Sequence, residues 1–286
     1  MADVLVVGSI HLDRMVRVER FPLPGETAVA LDAWTQLGGK AANQAVASAA
    51  LHPTRLVACV GDDAEGAQVC QTLKRHRVDA RLRTSARQAT GSSVALIDDQ
   101  GENVGVISPA ANADLLPGDV LPLLDAARPA LVLCQWESPL ETLREVFQAA
   151  RARGIPTVLN AAPWRPEYRE LLPLAGHVVV NAVEAAAWVG REVRGQPEVL
   201  PFDHPHVTVT LGADGASHYE EGRLTLHQPA PRVQARSTHG AGDHFVGTLA
   251  ALTARGLPLG EALRQAGNAA ATFVQTLHKS DFQPTS

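Results

Sequence analysis

Short runs of apolar residues alternate along the chain with longer segments in which apolar residues recur at helical spacing. The apolar runs are Val4–Val7, Leu56–Val60, Ala130–Cys134, Thr157–Asn160, His177–Asn181 and Val207–Leu211. The helical segments are Lys40–Ala50, Ala64–His76, Leu140–Arg153, Glu167–Leu174 and Glu184–Val189. Strands that are apolar throughout are buried on both faces, as in parallel sheets covered by helices. The pattern therefore predicts a doubly wound α/β fold, with a mostly parallel central sheet and helices on both of its faces.

Two stretches, residues 14–37 and 92–108, interrupt this alternation with short β-like patterns. The first carries Val16 and Val18 at alternating positions, and the second has a polar turn between two runs of alternating apolar residues. Such alternation is typical of antiparallel hairpins. We expect these stretches to form a small sheet that projects, as a lid or a dimer surface, from a single domain spanning residues 1–286.

Composition narrows the classes of function. Of the 286 residues, 45% are hydrophobic and 19% are charged, and the net charge is −5 with neutral histidines. That charge provides no basic field for nucleic acid or an anionic membrane, so an anionic ligand needs a local site. The sequence has neither the roughly 18 apolar residues of a membrane span nor a signal-peptide pattern. Its three scattered cysteines suit neither a disulfide framework nor a zinc site. We expect a cytoplasmic globular protein.

The first candidate site is the segment from Gly38 to Asn43, at the entry to an alanine-rich helix. The paired glycines Gly38 and Gly39 allow a backbone to approach a ligand closely. Lys40 and Asn43 are three residues apart, so they project from one face of the first helical turn. A plain glycine-rich helix entry with a solvated lysine fits the same pattern. The spacing excludes a Walker A phosphate loop.

The second candidate site runs from Gly240 to Asp243, before a helix predicted from about Val246 to Ala254. Small residues at a helix start expose backbone N–H groups, and the helix dipole favours an anion there. Such a nest stabilises the charge on a phosphoryl group during transfer. Asp243 is placed to take a proton from an attacking hydroxyl. The alternative is that Asp243 only stabilises the start of the helix electrostatically.

Two further segments follow predicted strands. A carboxylate at Glu184, three residues after Asn181, suits a hydrated Mg²⁺ ion, although a helix cap fits the same spacing. Thr210, Gly212 and Gly215 end a strand in a tight turn that suits either a nucleotide or a hairpin. Ligands of open α/β sheets bind beyond the carboxyl ends of the strands. We therefore expect these segments to lie at one edge of the sheet.

In this order, the motifs resemble those of the ribokinase-like (PfkB) carbohydrate kinases, and the resemblance extends from Val6 to about Ala271. Besides the candidate sites, it rests on Gly8-Ser9-Ile10 with Asp13, Phe21 to Thr27, Gly38 to Ala47, Gly61-Asp62-Asp63, Glu137 to Glu141 and Asn160. The resemblance implies an ATP-dependent kinase that transfers the γ-phosphoryl group to a hydroxyl of a small sugar, with D-ribose as the first candidate.

The resemblance also implies roles for individual residues. Asp243 corresponds to the catalytic base, and Gly240, Ala241 and Gly242 correspond to the anion hole. The sugar-binding positions are His11, Asp13, Gly38, Gly39, Lys40, Asn43, Glu137 and Asp243. The ATP-binding positions are Asn181, Thr210, Gly212, Gly215, Gly242 and Asn268. Glu184 corresponds to a Mg²⁺-associated glutamate, and the two β-rich stretches correspond to a lid that joins two subunits into a homodimer.

Several positions depart from the family pattern. His11 stands where the family has an asparagine that touches the sugar, and a bulkier imidazole can change the preferred sugar. Ser237 replaces an aspartate that helps to hold an activating monovalent cation, and Lys279-Ser280-Asp281 stands near the loop that completes that site. Activation by K⁺ is therefore doubtful. His244 replaces a small residue beside the base, where an imidazolium would lower the pKa of Asp243.

Other functions fit parts of the pattern. The acceptor could be a nucleoside, fructose or a keto-deoxy sugar acid, with Arg14 or Arg165 as the cation for the acid. A catalytically weak relative that binds a sugar or nucleoside as a sensor is a second alternative, although the candidate catalytic residues are intact. A dinucleotide-binding oxidoreductase is excluded because no G-x-G-x-x-G follows the first strand.

Overall fold

The computed structural model describes residues 2–100, 102–126, 128–234 and 238–276. Ser237 and the segment Lys279-Ser280-Asp281 lie outside these described residues. Within them the strands are β1 (Val4–Val7), β2 (His11–Arg17), β3 (Asp32–Gly38), β4 (Thr54–Gly61), β5 (Asp79–Ser85), β6 (Ser92–Ile97), β7 (Asn103–Ser108), β8 (Leu131–Gln135), β9 (Thr157–Asn160), β10 (His177–Asn181), β11 (His206–Thr210), β12 (Ala216–Glu220) and β13 (Arg223–Gln228).

The α-helices of the same residues are α1 (Lys40–Ala49), α2 (Ala64–Arg75), α3 (Pro117–Ala126), α4 (Leu140–Ala152), α5 (Ala182–Val189), α6 (Ala241–Ala254) and α7 (Leu259–Gln275). Short 3-10 helices span Ala110–Asp114, Pro166–Leu174 and Gly212–Asp214. None of the helices in this part of the chain combines the length and the apolar character that a membrane span needs.

The large sheet has the strand order β13-β12-β11-β10-β9-β8-β1-β4-β5 in the described part of the chain. Its strands pair in parallel from β11 across to β5. The two remaining pairs, β11 with β12 and β12 with β13, lie at one edge and are antiparallel. The predicted mostly parallel sheet of a doubly wound α/β fold is therefore confirmed.

Helices cover both faces of this sheet because its strands are apolar on both sides. Along β1, Leu5 and Val7 join a core cluster with α3, α4 and α5, whereas Val4 and Val6 join a second cluster with α1, α2, α6 and α7. All four side chains are fully buried. Since successive strand residues point to opposite faces, one continuous apolar run supplies both cores.

A second, four-stranded sheet has the order β3-β2-β6-β7. The β2–β3 and β6–β7 pairs are antiparallel, as the alternating pattern of the two stretches indicates. The hairpins meet through a parallel pairing of β2 with β6, which the sequence pattern does not reveal. The reason is topological: β2 follows β1 and β6 follows β5, and β1 and β5 run in the same direction through the large sheet.

Several elements differ from the sequence prediction. Helix α6 begins at Ala241 rather than near Val246, because Gly240 and Gly242 are tolerated at a helix start where they would weaken a helix interior. The predicted helix over Glu167–Leu174 is a 3-10 helix that starts at Pro166. Strand β5 and helices α3 and α7 have no counterpart in the prediction. In β5 the charged residues leave no apolar run that would indicate a strand. In α3 the internal Pro122 interrupts the pattern that would indicate a helix.

Candidate active site

The first candidate site forms where β3 passes into α1. Gly39 is the N-cap of α1 with a φ of 87°, a conformation that L side chains rarely adopt. A Cβ at this position would lie 2.7 Å from Ile10 Cα and from Ser9 O, so only glycine fits. At Gly38 a Cβ would collide with the carboxylate of Asp13. The glycine pair therefore brings the start of α1 against the segment that follows β1.

Two carboxylates lie beside this glycine pair. Glu137 Oε2 accepts hydrogen bonds from Ser9 Oγ at 2.5 Å and from the backbone N–H of Lys40 at 3.1 Å. Asp13 Oδ1 accepts one from Ser93 Oγ at 2.5 Å, so the small sheet holds this carboxylate on its inner face. Carboxylates oriented in this way can accept hydrogen bonds from the hydroxyls of a polyol.

Asp243 lies in the first turn of α6, which packs against α1. Gln44 Nε2 donates to Asp243 Oδ1 at 2.9 Å, and Asn43 Nδ2 lies 3.4 Å from Asp243 Oδ2. Burial raises the pKa of Asp243 above its ordinary value, while the charge of Lys40 and the amide of Gln44 oppose the rise. The result is a carboxylate that is held in place and is more basic than a solvated aspartate.

Lys40 lies among three carboxylates of the site. Burial by itself would lower the pKa of Lys40, but the charges of Asp243, Glu137 and Glu184 together raise it. The ammonium therefore stays protonated at neutral pH. It supplies positive charge beside Asp243 and can attract an anionic group.

The start of α6 provides an anion nest. Gly240 is its N-cap in the left-handed conformation with a φ of 77°, and no side chain caps the helix. The N–H of Ala241 is bonded to Thr238 O at 3.2 Å. The N–H groups of Gly242 and Asp243 have no acceptor within the helix, so they can bind an anion at the positive end of the helix dipole.

One pocket connects these groups with the carboxyl ends of β10 and β11. Asn181 and Glu184 form a capping box at the start of α5: Asn181 Oδ1 accepts from the Glu184 N–H at 2.9 Å, and Glu184 Oε2 accepts from the Asn181 N–H at 2.8 Å. Burial raises the pKa of Glu184. The two residues that cap α5 are therefore also part of the pocket wall. The pocket is lined by Lys40, Asn160, Ala162, Val179, Val180, Asn181, Glu184, Thr210, Gly240, Gly242, Asp243 and Val246.

Besides Ala241 and the residues described above around Gly38 and Gly39, four described residues with predicted ligand roles lie outside this pocket wall. Gly212 is exposed in a 3-10 turn, and Gly215 packs against the backbone of Gln228 in the β11–β12 turn. Asn268 is exposed on α7. His11 is only 3% exposed, and its ring lies against Gly91. The pocket geometry alone gives these four positions no ligand contact.

The sequence patterns assign no role to two residues that the structure places in the site. Gln44 binds the Asp243 carboxylate, and His239 Nε2 lies 3.5 Å from Asp13 Oδ2. Gln44 follows Lys40 by four residues, so both lie on one face of α1. This spacing could have identified Gln44 as a site residue from the sequence. No spacing rule connects His239 with Asp13, because they are distant in sequence.

The site can bind a polyol and move a phosphoryl group to it. Asp13 and Glu137 offer acceptors for hydroxyls, Asp243 offers a base, and the α6 nest with Lys40 offers positive charge for a phosphate. Phosphoryl transfer depends mainly on such positioning and electrostatic stabilisation. The geometry therefore suits the transfer of a phosphoryl group to a hydroxyl.

Comparisons with known proteins agree with this chemistry. The sequence model of the pfkB family carbohydrate kinases matches residues 1–285. Ribokinase from Bacillus subtilis is 31% identical over 287 residues, which cover 100% of this chain and 97% of that protein. The bifunctional ribokinase/ribose-5-phosphate isomerase A of Fructilactobacillus sanfranciscensis is 32% identical over 266 residues, covering 87% of this chain but only 48% of that protein. The structure of Arabidopsis thaliana ribokinase complexed with ribose and ATP has a TM-score of 0.85 and 30% identity, covering 96% of this chain and 94% of that one.

Proposed function

The chain belongs to the pfkB family of carbohydrate kinases, and we propose that D-ribose is the sugar that it phosphorylates. It is an ATP-dependent sugar kinase that transfers the γ-phosphoryl group to a sugar hydroxyl. The main support for a small polyol is that Asp13 and Glu137 lie beside the backbone of Gly38 and Gly39. The ribokinase complexed with ribose and ATP supports ribose as the first candidate.

In the proposed reaction, Asp243 accepts the proton of the attacking hydroxyl as that oxygen bonds to the γ-phosphorus. The bond between the γ-phosphorus and the β,γ-bridging oxygen breaks, and ADP leaves. Gln44 and Asn43 orient the carboxylate, and its raised pKa favours proton acceptance. Gly240, Ala241 and Gly242 form the proposed anion hole at the start of α6. The Ala241 N–H is bonded to Thr238 O, so the Gly242 N–H, with no acceptor within the helix, is the one proposed to stabilise the charge on the transferred phosphoryl group.

The nucleotide is proposed to bind in the pocket between α6 and the carboxyl ends of β10 and β11. Asn181, Thr210 and Gly242 line this pocket, which supports contacts with the phosphates. Gly212, Gly215 and Asn268 retain their proposed roles toward the rest of the nucleotide. Gly212 and Asn268 are exposed, which leaves room for a ligand outside the pocket wall.

Glu184 is the residue proposed to hold Mg²⁺. The capping N–H of Asn181 occupies its Oε2, and the carboxylate borders the pocket beside Lys40 and Asp243. A single carboxylate suits Mg²⁺, which keeps several waters and binds through one or two carboxylates and substrate phosphates. The residues present therefore fit the ion. When bound, Mg²⁺ neutralises phosphate charge during transfer.

The four-stranded sheet is proposed to act as a lid and to join two chains into a homodimer. Its outer face exposes Val94, Val104 and Val106, at 45%, 54% and 73% of their surface. Val94 and Val106 are register partners, so the three side chains share one face of the sheet. Such a patch favours a second copy of the chain. Val106→Asp should give a monomer in light scattering, while Leu116→Asp, outside the sheet, should not; a monomeric wild-type chain would contradict the proposal.

The positions of Arg14 and Arg165 disfavour a keto-deoxy sugar acid, the alternative acceptor that carries a negative charge. Arg14 follows Asp13 on β2 and so lies on the opposite face, where it pairs with Glu65 at 3.5 Å. Arg165 lies over the ring of Tyr168, 5.3 Å from its centroid. Neither contact places an arginine in the sugar site, where it would pair with the carboxylate of a keto-deoxy sugar acid.

The decisive experiment measures ADP release with Mg-ATP across a panel of acceptors. We expect the highest kcat/KM with D-ribose, followed by 2-deoxyribose, and much lower values with fructose, keto-deoxygluconate and adenosine. A higher kcat/KM for any of the last three would reject ribose and retain the kinase. Silence across the panel, with sugar binding still visible by calorimetry, would favour the sensor alternative.

A further inference from the structure

A group of histidines lies at the end of the large sheet away from the nucleotide pocket. His206 begins β11, and its register partner Glu220 ends β12. His218 lies two residues before Glu220, so all three side chains share one face of the sheet. One ligand atom from each residue lies within 4.8 Å of the other two.

The indication that this group binds a ligand comes from His218. Its side chain is only 2% exposed, and its Nε2 is buried without a hydrogen-bond partner among the described residues. This nitrogen lies 4.0 Å from Glu220 Oε1, too far for a hydrogen bond. Leaving a buried polar atom unpaired is costly, so an unpaired ring nitrogen that faces a carboxylate and a second imidazole calls for an explanation.

The other ring nitrogen of His218, Nδ1, has a hydrogen-bond partner. Its Nδ1 lies 3.0 Å from Thr208 Oγ1, which in turn lies 2.8 Å from His177 Nε2. Metal-binding histidines usually donate their second N–H to such a partner, which fixes the ring and leaves the lone pair of the first nitrogen for the metal.

We propose that His206, His218 and Glu220 bind one divalent transition-metal ion of the Zn²⁺ class. Two imidazoles and one carboxylate are a donor set that suits Zn²⁺ and leaves a fourth position for water. Mg²⁺ prefers oxygen ligands and is a poor match for this set. His206 and Glu220 are exposed, so their side chains are free to rotate toward an ion held by the buried His218.

The neighbouring histidines do not share this arrangement. His204 Nδ1 and Nε2 lie 3.0 Å from the carbonyl oxygens of His206 and Ala175, so both of its nitrogens have partners. His227 lies on the opposite face of the hairpin, where its nitrogens contact Ser217 and Gln196. The proposed ion therefore has one defined set of ligands.

The site is separate from the kinase pocket. His177 and Asn181 are four residues apart on β10, which corresponds to roughly 13 Å along a strand. The ion would join β11 to β12 at the amino end of the parallel strands, whereas phosphoryl transfer takes place at their carboxyl end. We expect it to stabilise the sheet edge without taking part in the reaction.

The test is a Zn²⁺ titration of the metal-free full chain by calorimetry in the presence of excess Mg²⁺. We expect one Zn²⁺ per chain and a rise in Tm on binding. His206→Ala and Glu220→Gln change exposed residues, so the fold is preserved. Each should weaken binding at least about tenfold, since even the loss of an outer-shell partner costs 10- to 100-fold. Co²⁺ should give a visible spectrum typical of a low-coordinate site, which both variants lose.

His227→Ala is the matched control, because it removes a nearby imidazole from the opposite face. It should bind Zn²⁺ as tightly as the wild-type chain, and His206→Ala without Zn²⁺ should retain wild-type kinase activity. The proposal is overturned if the wild-type chain binds no Zn²⁺ under these conditions. It is equally overturned if His206→Ala and Glu220→Gln both bind with the wild-type affinity.

Discussion

The side-chain amide of Gln44 holds the carboxylate of Asp243, with Nε2 lying 2.9 Å from Oδ1. The same nitrogen donates its second hydrogen to Asn160 Oδ1 at 2.9 Å, and Gln44 Oε1 accepts from Gln135 Nε2 at 2.6 Å. These bonds fix which end of the amide faces α6. Helix α1 thereby sets the direction of the proposed base, in addition to carrying Lys40 and Asn43.

Replacing Gln44 with leucine should lower kcat about 10- to 100-fold, because it removes the bond that orients Asp243 and leaves buried polar groups unpaired at a cost of about 1–3 kcal/mol. The hydrogen bond from Gln44 also lowers the pKa of Asp243. Its loss should raise that pKa, so the carboxylate is protonated over a wider acidic range. The acidic limb of kcat/KM should move to higher pH, which a pH–rate profile measures. An unshifted limb with normal kcat would show that Gln44 only fills space.

Asp243→Asn should lower kcat at least about a thousandfold, since it removes the proton acceptor together with a charge at the reaction centre. The measurement is ADP release at saturating sugar and Mg-ATP. Sugar binding should change far less, because the amide keeps the shape of the carboxylate. Asp125→Asn, which changes an exposed aspartate of α3 paired with Arg153, serves as the matched control and should retain wild-type turnover. Unchanged turnover in Asp243→Asn would refute the assigned base.

The large sheet could be predicted from the sequence because its inner strands are apolar on both faces. Leu5 and Val6 point to opposite cores and are both fully buried, so the run itself carries the signal. Strand β5 is the counterexample. It lies at an edge of the sheet with exposed charged residues, and the same rule misses it.

The candidate site was predictable only where its residues are neighbours along the chain. Lys40, Asn43 and the Gly240–Asp243 segment form local patterns that a helix start explains. The contacts of Asp243 with Gln44 and of Asp13 with His239 join distant parts of the chain. Such pairs depend on the packing of α1 against α6 and of the small sheet against the site, which local periodicity does not encode.

Gly39→Ala should destabilise the protein and reduce its activity. Two effects combine: the positive φ disfavours any L side chain, and the Cβ would lie 2.7 Å from backbone atoms of Ile10 and Ser9. Gly154→Ala separates them, because Gly154 has a φ of 61° and nothing within 4 Å of its Cβ position. The control should lose about 1–2 kcal/mol of unfolding free energy for its conformation alone. Gly39→Ala should lose at least about 1 kcal/mol more, from overpacking and because its φ of 87° with a ψ of 130° lies outside the left-handed helical region.

Denaturant unfolding of both variants measures this difference. Equal losses would show that the close approach of Gly39 to Ile10 and Ser9 is readily relaxed. We also expect Gly39→Ala, but not Gly154→Ala, to raise the KM for the sugar, because the shift displaces Lys40 and the Glu137 contact with its N–H.

Activation by K⁺ should be weak or absent. The reason lies in the sequence: Ser237 stands where the family resemblance places a cation-binding aspartate, and a hydroxyl supplies no negative charge for the ion. Turnover in KCl and in NaCl at equal ionic strength should be the same within about a factor of two, since monovalent screening is equal. Ser237→Asp should introduce a dependence on K⁺. A clear rise in the wild-type rate when K⁺ replaces Na⁺ would overturn the prediction.

His239 should control sugar binding through Asp13, because its Nε2 lies 3.5 Å from Asp13 Oδ2. The hydrogen bond to Asp13 raises the pKa of His239 above its ordinary value, and burial opposes the rise. The imidazolium is therefore present below that raised pKa, and its pairing with Asp13 is lost as the pH rises through it. The KM for the sugar should increase in the wild-type chain as the pH rises through this raised pKa. His239→Gln keeps a donor but does not titrate, so its KM should stay flat with pH while kcat changes little. His227→Gln, on the far hairpin, should follow the wild-type profile. Parallel profiles for His239→Gln and the wild-type chain would assign the pH dependence to another group.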